Sequence, residues 1–237
     1  MNADSKVIVV TGVCGGIGSA VAELLNESGY IVAGFDIDRN DSEVYEHHIV
    51  DVTNAEQVKK SLDLVFQKYG KINSLVNCAG ILSTNNFYSE NYSDWKKILN
   101  VNLDSVFICS KEIVDYLIKN EISNIINIAS VSAFKQSVFS SVAYCASKAA
   151  IVGMSRTMAA QLAKDGVRVN NVAPGFVDTE MIELLSPEVI EKCKNSVPLG
   201  RVASPVEVAA AVRYLLSDDA SYITGETINI NGGTFMS

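Results

Sequence analysis

The sequence predicts an α/β fold, a doubly wound parallel sheet of seven strands with helices on both faces. Three observations carry this. Short apolar runs alternate with longer segments of helical periodicity along the whole chain. A glycine-rich loop joins the first apolar run to the first helical pattern. The 237 residues contain no linker, repeat or low-complexity tract, so residues 1–237 are expected to form a single domain.

The elements follow in order. Val7–Val10 is a short buried strand, and Ile17–Glu27 places Ile17, Val21, Leu24 and Leu25 at helical spacing before Gly29 stops it. Ile31–Phe35 is the second strand, and Ile49–Val50 centres a third. Asn54 can cap a helix, with Gln57 three residues on, that reaches Tyr69 before Gly70. Leu75–Asn77 is the fourth strand, and Ser93–Lys119 reads as one long helix. Ile125–Ala129, Val167–Val172 and Thr227–Ile230 complete the strands. Between them lie a helix rich in small residues, Ala143–Leu162, and an irregular helical segment over 179–197. A last helix runs to Leu216, with Pro205 in the first turn, where a missing N–H is tolerated.

Composition narrows the function. The chain is 48% hydrophobic, which excludes a disordered protein, and its net charge of −8 disfavours nucleic acid or an anionic membrane as partner. No run approaches the ~18 apolar residues of a membrane span. The polar stretch Met1–Lys6 leads straight into a strand, leaving no room for a signal peptide, so a cytoplasmic location is expected. The five cysteines form no C-x-x-C pair, so neither a metal site nor a disulfide framework is expected.

The loop Thr11-Gly12-Val13-Cys14-Gly15-Gly16-Ile17-Gly18 stands between strand and helix. Glycines let backbone N–H groups approach a phosphate, and the helix N-terminus supplies unpaired donors and partial positive charge. The plainer reading is a tight turn that binds nothing. Asp36 ends the second strand, 24 residues past Gly12. A carboxylate there can accept both ribose hydroxyls of an adenosine and would repel a 2′-phosphate, which points to NAD over NADP. Gly15 and Ile37 stand where cations would serve a 2′-phosphate, and Arg39 is the one basic residue nearby. Asp51 and Val52, at the end of the third strand, can line an adenine pocket, and Asn77, Cys78, Ala79 and Gly80, ending the fourth, leave room for a flat ring. Each alone also reads as ordinary strand-end structure.

Tyr144 and Lys148 are four residues apart on one helix face. A neighbouring ammonium favours a phenolate, and the pair can serve as acid and base. An interface tyrosine beside a snorkelling lysine is the alternative. Ser130 ends the fifth strand and can hold a substrate oxygen against Tyr144, with Ser132 competing for that role.

Taken in order, Thr-Gly-x-x-x-Gly-x-Gly, the acidic end of the second strand, Asn-x-Ala-Gly, Asn102, Ser130, Tyr-x-x-x-Lys and Asn-x-x-x-Pro-Gly resemble the short-chain dehydrogenase/reductase family across Lys6–Gly233. The stretch 174–181 and the tail 222–233 look most like bacterial 3-oxoacyl-carrier-protein reductases, whereas Asp36 looks more like NAD-linked dehydrogenases of the 2,3-dihydro-2,3-dihydroxybenzoate type. The resemblance implies a Rossmann fold and NAD as cofactor. Tyr144 is implied as acid/base, and Lys148 as the residue that lowers its pKa and holds the nicotinamide ribose. Ser130 is implied to position substrate, Asn102 to kink its helix and hold a water, and Pro174, Gly175, Val177 and Thr179 to lie along the nicotinamide. Two departures stand out. Cys78 replaces a usual asparagine, and Ser130 lies 14 residues before Tyr144, one more than the family spacing.

The expected function is interconversion of a secondary alcohol and a ketone with NAD(H), the substrate a 3-oxoacyl thioester or, alternatively, a cyclic diol or other small alcohol; a non-catalytic nucleotide-binding protein on the same fold is the further alternative. The substrate is expected to be a small molecule or an acyl thioester, and specificity to reside in 130–141 and in a lid at about 180–200 bearing Met181, Ile182, Leu184 and Leu185. A homotetramer is expected from the apolar helix Ala143–Leu162 and from the family.

Overall fold

The computed structural model describes residues 5–39, 42, 44–137, 139–183 and 186–236. Seven strands form one sheet in the order β3-β2-β1-β4-β5-β6-β7, every neighbouring pair parallel. They are β1 (Val7–Thr11), β2 (Ile31–Asp36), β3 (Glu46–Ile49), β4 (Ser74–Asn77), β5 (Ser123–Ile128), β6 (Val167–Pro174) and β7 (Thr227–Ile230). The order reverses between β1 and β4, and that switch point opens a crevice at the carboxyl ends of the strands.

Alternation along each strand divides the core. Ile8, Val10, Val32, Val76, Ile126 and Val172 face one layer, built by α1 (Gly16–Glu27) and α8 (Pro205–Leu216). Their neighbours Val7, Val9, Ala33, Leu75, Ile125 and Val169 face the other, where α2 (Ala55–Tyr69), α4 (Ser105–Leu117) and α5 (Val142–Leu162) pack. Burying each such side chain contributes about 1.5–3 kcal/mol before entropic offsets. The remaining helices are α3 (Tyr92–Leu99), α6 (Glu180–Glu183) and α7 (Pro187–Ser196). No helix of the described residues is long and apolar enough to cross a membrane.

Local signals account for most boundaries. Asn54 accepts from the Gln57 N–H and starts α2, and Gly70 ends it in the left-handed region at φ 72°. Pro205 opens α8 as the sequence predicts. Two expectations need correction. The third strand is Glu46–Ile49, not centred on Ile49–Val50, so Asp51 and Val52 follow its end rather than form it. It lies at the sheet edge, where pairing with β2 and not apolar burial fixes its position. The long helix over 93–119 is α3 and α4 joined by one π-helical turn, Asn100–Asp104.

Candidate active site

The glycine loop is built by close packing. Gly12 has φ 71°, and a Cβ there would lie 2.7 Å from the Ala79 backbone. A Cβ on Gly18 would overlap the Gly12 carbonyl oxygen, and one on Gly16 would lie 2.7 Å from Thr179. The loop is therefore pressed against both the end of β4 and the segment after β6. Helix α1 begins at Gly15 with no side-chain cap. By contrast, α2, α3, α5 and α7 are capped by Asn54, Asn91, Ser141 and Ser186. An uncapped first turn behind three glycines is a cradle for an anion, so the residues present fit a dinucleotide pyrophosphate.

Asp36 closes the adjoining end. Its Oδ2 accepts from the Cys14 N–H at 2.9 Å, and its Oδ1 accepts from the Asp38 N–H at 3.2 Å. The carboxylate is thereby fixed beside the loop with lone pairs left for further donors. Ile37 beyond it is 64% exposed. The Cys14 thiol donates to the Asp38 carbonyl, and burial with the Asp36 charge pushes it up to about 11, so it is a protonated thiol at neutral pH. Asp51 is partly engaged elsewhere, because its Oδ1 accepts from the Thr53 N–H and hydroxyl at 2.9 and 2.7 Å.

The candidate catalytic groups meet where β5 and α5 converge. Ser141 caps α5 by accepting from the Tyr144 N–H at 3.2 Å, and Glu90 accepts from the Ala143 N–H at 3.3 Å. Tyr144 and Lys148 then share one face, the Lys148 Nζ 5.7 Å from the Tyr144 ring centroid. Ser130 is buried and accepts from the Ser132 N–H at 3.1 Å. Ser130 and Ser132 both line the cleft, and Ser130 is the more buried of the two.

Burial pushes the Tyr144 hydroxyl above the ordinary phenol range, with Ser130 pulling the other way. The Lys148 ammonium is itself driven down to about 8 by burial, and it donates to the Ile128 carbonyl at 2.8 Å. Desolvation of the phenolate is the largest influence on Tyr144, and a positive charge brought into the cleft would act against it.

Asn102 lies fully buried in the π turn. Its amide donates to the Ile81 carbonyl at 2.9 Å and to Ser147 at 3.3 Å, and its Oδ1 accepts from the Ile81 N–H at 2.8 Å. It thus ties the segment after β4 to α5, close to Gly80, whose absent Cβ would lie 3.6 Å from Lys148 Nζ.

A cleft of about 360 Å³ joins these groups. Ile17, Cys78, Gly80, Ser130, Tyr144, Lys148, Pro174, Gly175, Val177 and Thr179 line its inner part. Lys135, Gln136, Ser137, Phe139 and Ser140 from the loop after β5, and Met181, Ile182 and Ser196 from α6 and α7, form its outer walls. Leu184 and Leu185 lie outside the described residues. Asn77 does not line it. Its amide donates to Asn127 at 2.8 Å, within the sheet.

That contact begins a polar row absent from the sequence reading. Asn77, Asn127, Asn171 and Thr227 occupy one register across β4 to β7. Asn127 donates to Ser155 at 2.9 Å, Ser155 to Asn171 at 2.6 Å, and Asn171 to Thr227 at 3.0 Å. Fully paired, the row fixes sheet register directly behind the site. The recurrence of Asn at strand ends was its only visible signal.

With this geometry in place, comparison with known proteins defines the class. A family model described as enoyl-(acyl carrier protein) reductase matches residues 12–234. The 3-oxoacyl-(acyl-carrier-protein) reductase of Thermotoga maritima is 38% identical, the match covering 98% of this chain and 99% of that protein. The acetoacetyl-CoA reductase of Acinetobacter sp. is 33% identical over the same shares. Among solved structures, the ligand-free aldohexose dehydrogenase of Thermoplasma acidophilum superposes with a TM-score of 0.91 at 36% identity, covering 98% of this chain and 95% of that one. A glucose/ribitol dehydrogenase of Brucella melitensis matches with the same score at 34% identity, covering 98% and 97%. The chain belongs to the short-chain dehydrogenase/reductase family. It is an oxidoreductase of a family that uses nicotinamide cofactors.

Proposed function

We propose that the protein interconverts a secondary alcohol and a ketone with NAD(H), and that Tyr144 exchanges the proton. The observation that carries this is the convergence of Ser130, Tyr144 and Lys148 in a cleft that adjoins the uncapped glycine loop. Gly12, Cys14, Gly15, Gly16, Ile17 and Gly18 would hold the pyrophosphate, and Asp36 and Ile37 the adenosine ribose. Asp51, Val52, Ala79 and Gly80 would border the adenine side, with Asn77 supporting them from within the sheet. Lys148 would hold the second ribose, and Pro174, Gly175, Val177 and Thr179 the nicotinamide. When bound, the nicotinamide supplies the carbon that gives or takes hydride and, oxidised, a positive charge.

In the reducing direction, Ser130 orients the carbonyl oxygen and the Tyr144 hydroxyl delivers a proton to it. In the oxidising direction Tyr144 takes the proton of the alcohol. Asn102 positions the strand-end segment over these groups.

Two substrate classes fit. The names of the reductases in Thermotoga and Acinetobacter support a 3-oxoacyl thioester. The sugar dehydrogenases named in the structural comparison, together with Asp36 and the small cleft, support a cyclic diol or other small alcohol. Self-association, as a homotetramer, is supported by Phe107 on α4, which is 56% exposed. A cytoplasmic location accords with reduced thiols at all five cysteines. An initial-rate panel of acetoacetyl thioesters, dihydrodiols and sugar alcohols with NAD(H) tests the reading. Turnover of one class is the expected result, and NADH binding without turnover of any would refute it.

A further inference from the structure

The cleft is electrostatically unlike the chain that forms it. The protein holds 27 acidic against 19 basic residues, yet the described residues lining the cleft include two lysines and no aspartate or glutamate. Lys148 is committed at the inner end, donating to the Ile128 carbonyl. Lys135 is the second cation, on the outer wall, and it has no carboxylate partner among the described residues.

Lys135 is held in place. Its Nζ donates to the Thr234 carbonyl at 3.1 Å, and its neighbour Phe134 stacks on Phe235 with centroids 5.3 Å apart. The C-terminal tail thus clamps the loop after β5 with the ammonium at the cleft. One N–H is used, and two remain. Gln136 and Ser140 add neutral donors on the same wall, while Ser137 donates its hydroxyl proton to Ser140 at 3.1 Å.

We infer that Lys135 is a specificity-determining residue that recognises a carboxylate on the non-reacting end of the substrate, which is then a small ketone or secondary alcohol bearing a free acid group. This rests on the oxidoreductase reading above and narrows it. One ammonium flanked by an amide and hydroxyls suits a monoanion. Lys135 is exposed, so its attraction for an anion rests on its fixed position at a site lined by no acid and not on burial. The phosphates of a carrier arm lie many bonds from the reacting carbonyl and would fall outside a cleft of this size.

The test compares acids with their methyl esters as substrates for NADH-dependent reduction: acetoacetate against methyl acetoacetate, and 3-oxocyclohexanecarboxylate against its ester. The intact protein is expected to favour at least one acid over its ester by tenfold or more in kcat/KM. Lys135→Gln should bring that ratio close to one through KM, and Lys135→Arg should restore it. Equal or better use of both esters by the unaltered protein, or a parallel loss of acid and ester in Lys135→Gln, would overturn the inference. Should no compound be reduced, the oxidoreductase reading fails separately. Calorimetric binding of each acid and ester then still decides: tighter acid binding lost in Lys135→Gln supports the assignment, and equal binding rejects it.

Discussion

Lys148 directs its ammonium to the carbonyl oxygen of Ile128 at 2.8 Å, at the end of the strand that leads into Ser130. The bond holds a buried cation beside Tyr144 without neutralising it. Burial has lowered the ammonium from 10.5 to about 8.

That shift has a sign. Below pH 8 the folded and unfolded states are both protonated, and the folded state carries the full desolvation penalty. Between about 8 and 10.5 the folded state has released its proton while the unfolded state retains it, so stability rises with pH there. Lys148→Met removes this dependence. Urea denaturation of the two proteins from pH 7 to 10 should show wild type gaining roughly 2–3 kcal/mol relative to the variant. A constant difference across that range would show that Lys148 is not buried as a cation. Comparing the two removes the opposing effect of Cys14 and Cys109, whose raised values lower stability above pH 9 in both, whereas Cys78 is coupled to Lys148 and does not cancel.

Asp36 should decide the cofactor. A 2′-phosphate beside its carboxylate costs a few kcal/mol, so kcat/KM with NADH should exceed that with NADPH by roughly 100-fold. Asp36→Asn keeps an oxygen for the Cys14 N–H and removes the charge. The preference should then fall at least tenfold in steady-state assays. A wild-type preference for NADPH would overturn the role given to Asp36.

Asn102→Ala deletes three hydrogen bonds and strands the Ile81 N–H and carbonyl. The expected loss is about 2–4 kcal/mol in urea denaturation, with reduced turnover. Asn102→Asp should recover part of the stability at most, since it can accept from Ile81 but not donate back. A loss below about 0.5 kcal/mol would mean that the π turn holds its shape without this side chain.

Most of the fold was legible because burial on both faces of a parallel sheet leaves continuous apolar runs such as Val7–Val10. The edge strand was misplaced because Glu46, His47 and His48 carry no such signal, and only main-chain pairing to β2 selects them. By its own periodicity Asn100–Asp104 reads as ordinary helix, and only the family resemblance implied a kink at Asn102, since a π turn is set by what Asn102 binds across the structure and not by local propensity. At the site, Gly12, Gly18 and Asp36 were readable because each answers a backbone or charge requirement. The direction Asn77 takes was not readable, because a strand-end asparagine can turn either to a ligand or into the sheet. Its partner Asn127 lies 50 residues away. The desolvation of Tyr144 was likewise hidden, since it is a property of the packed cleft.

Tyr144 is the group proposed to exchange the proton. The most direct measurement is the turnover and NADH affinity of Tyr144→Phe, which keeps the ring and removes one oxygen. General acid–base catalysis contributes roughly 10²–10⁴-fold, so kcat should fall by about 10³ or more while the dissociation constant for NADH, read by fluorescence, stays within about twofold. A variant that keeps a tenth or more of the wild-type kcat would contradict it.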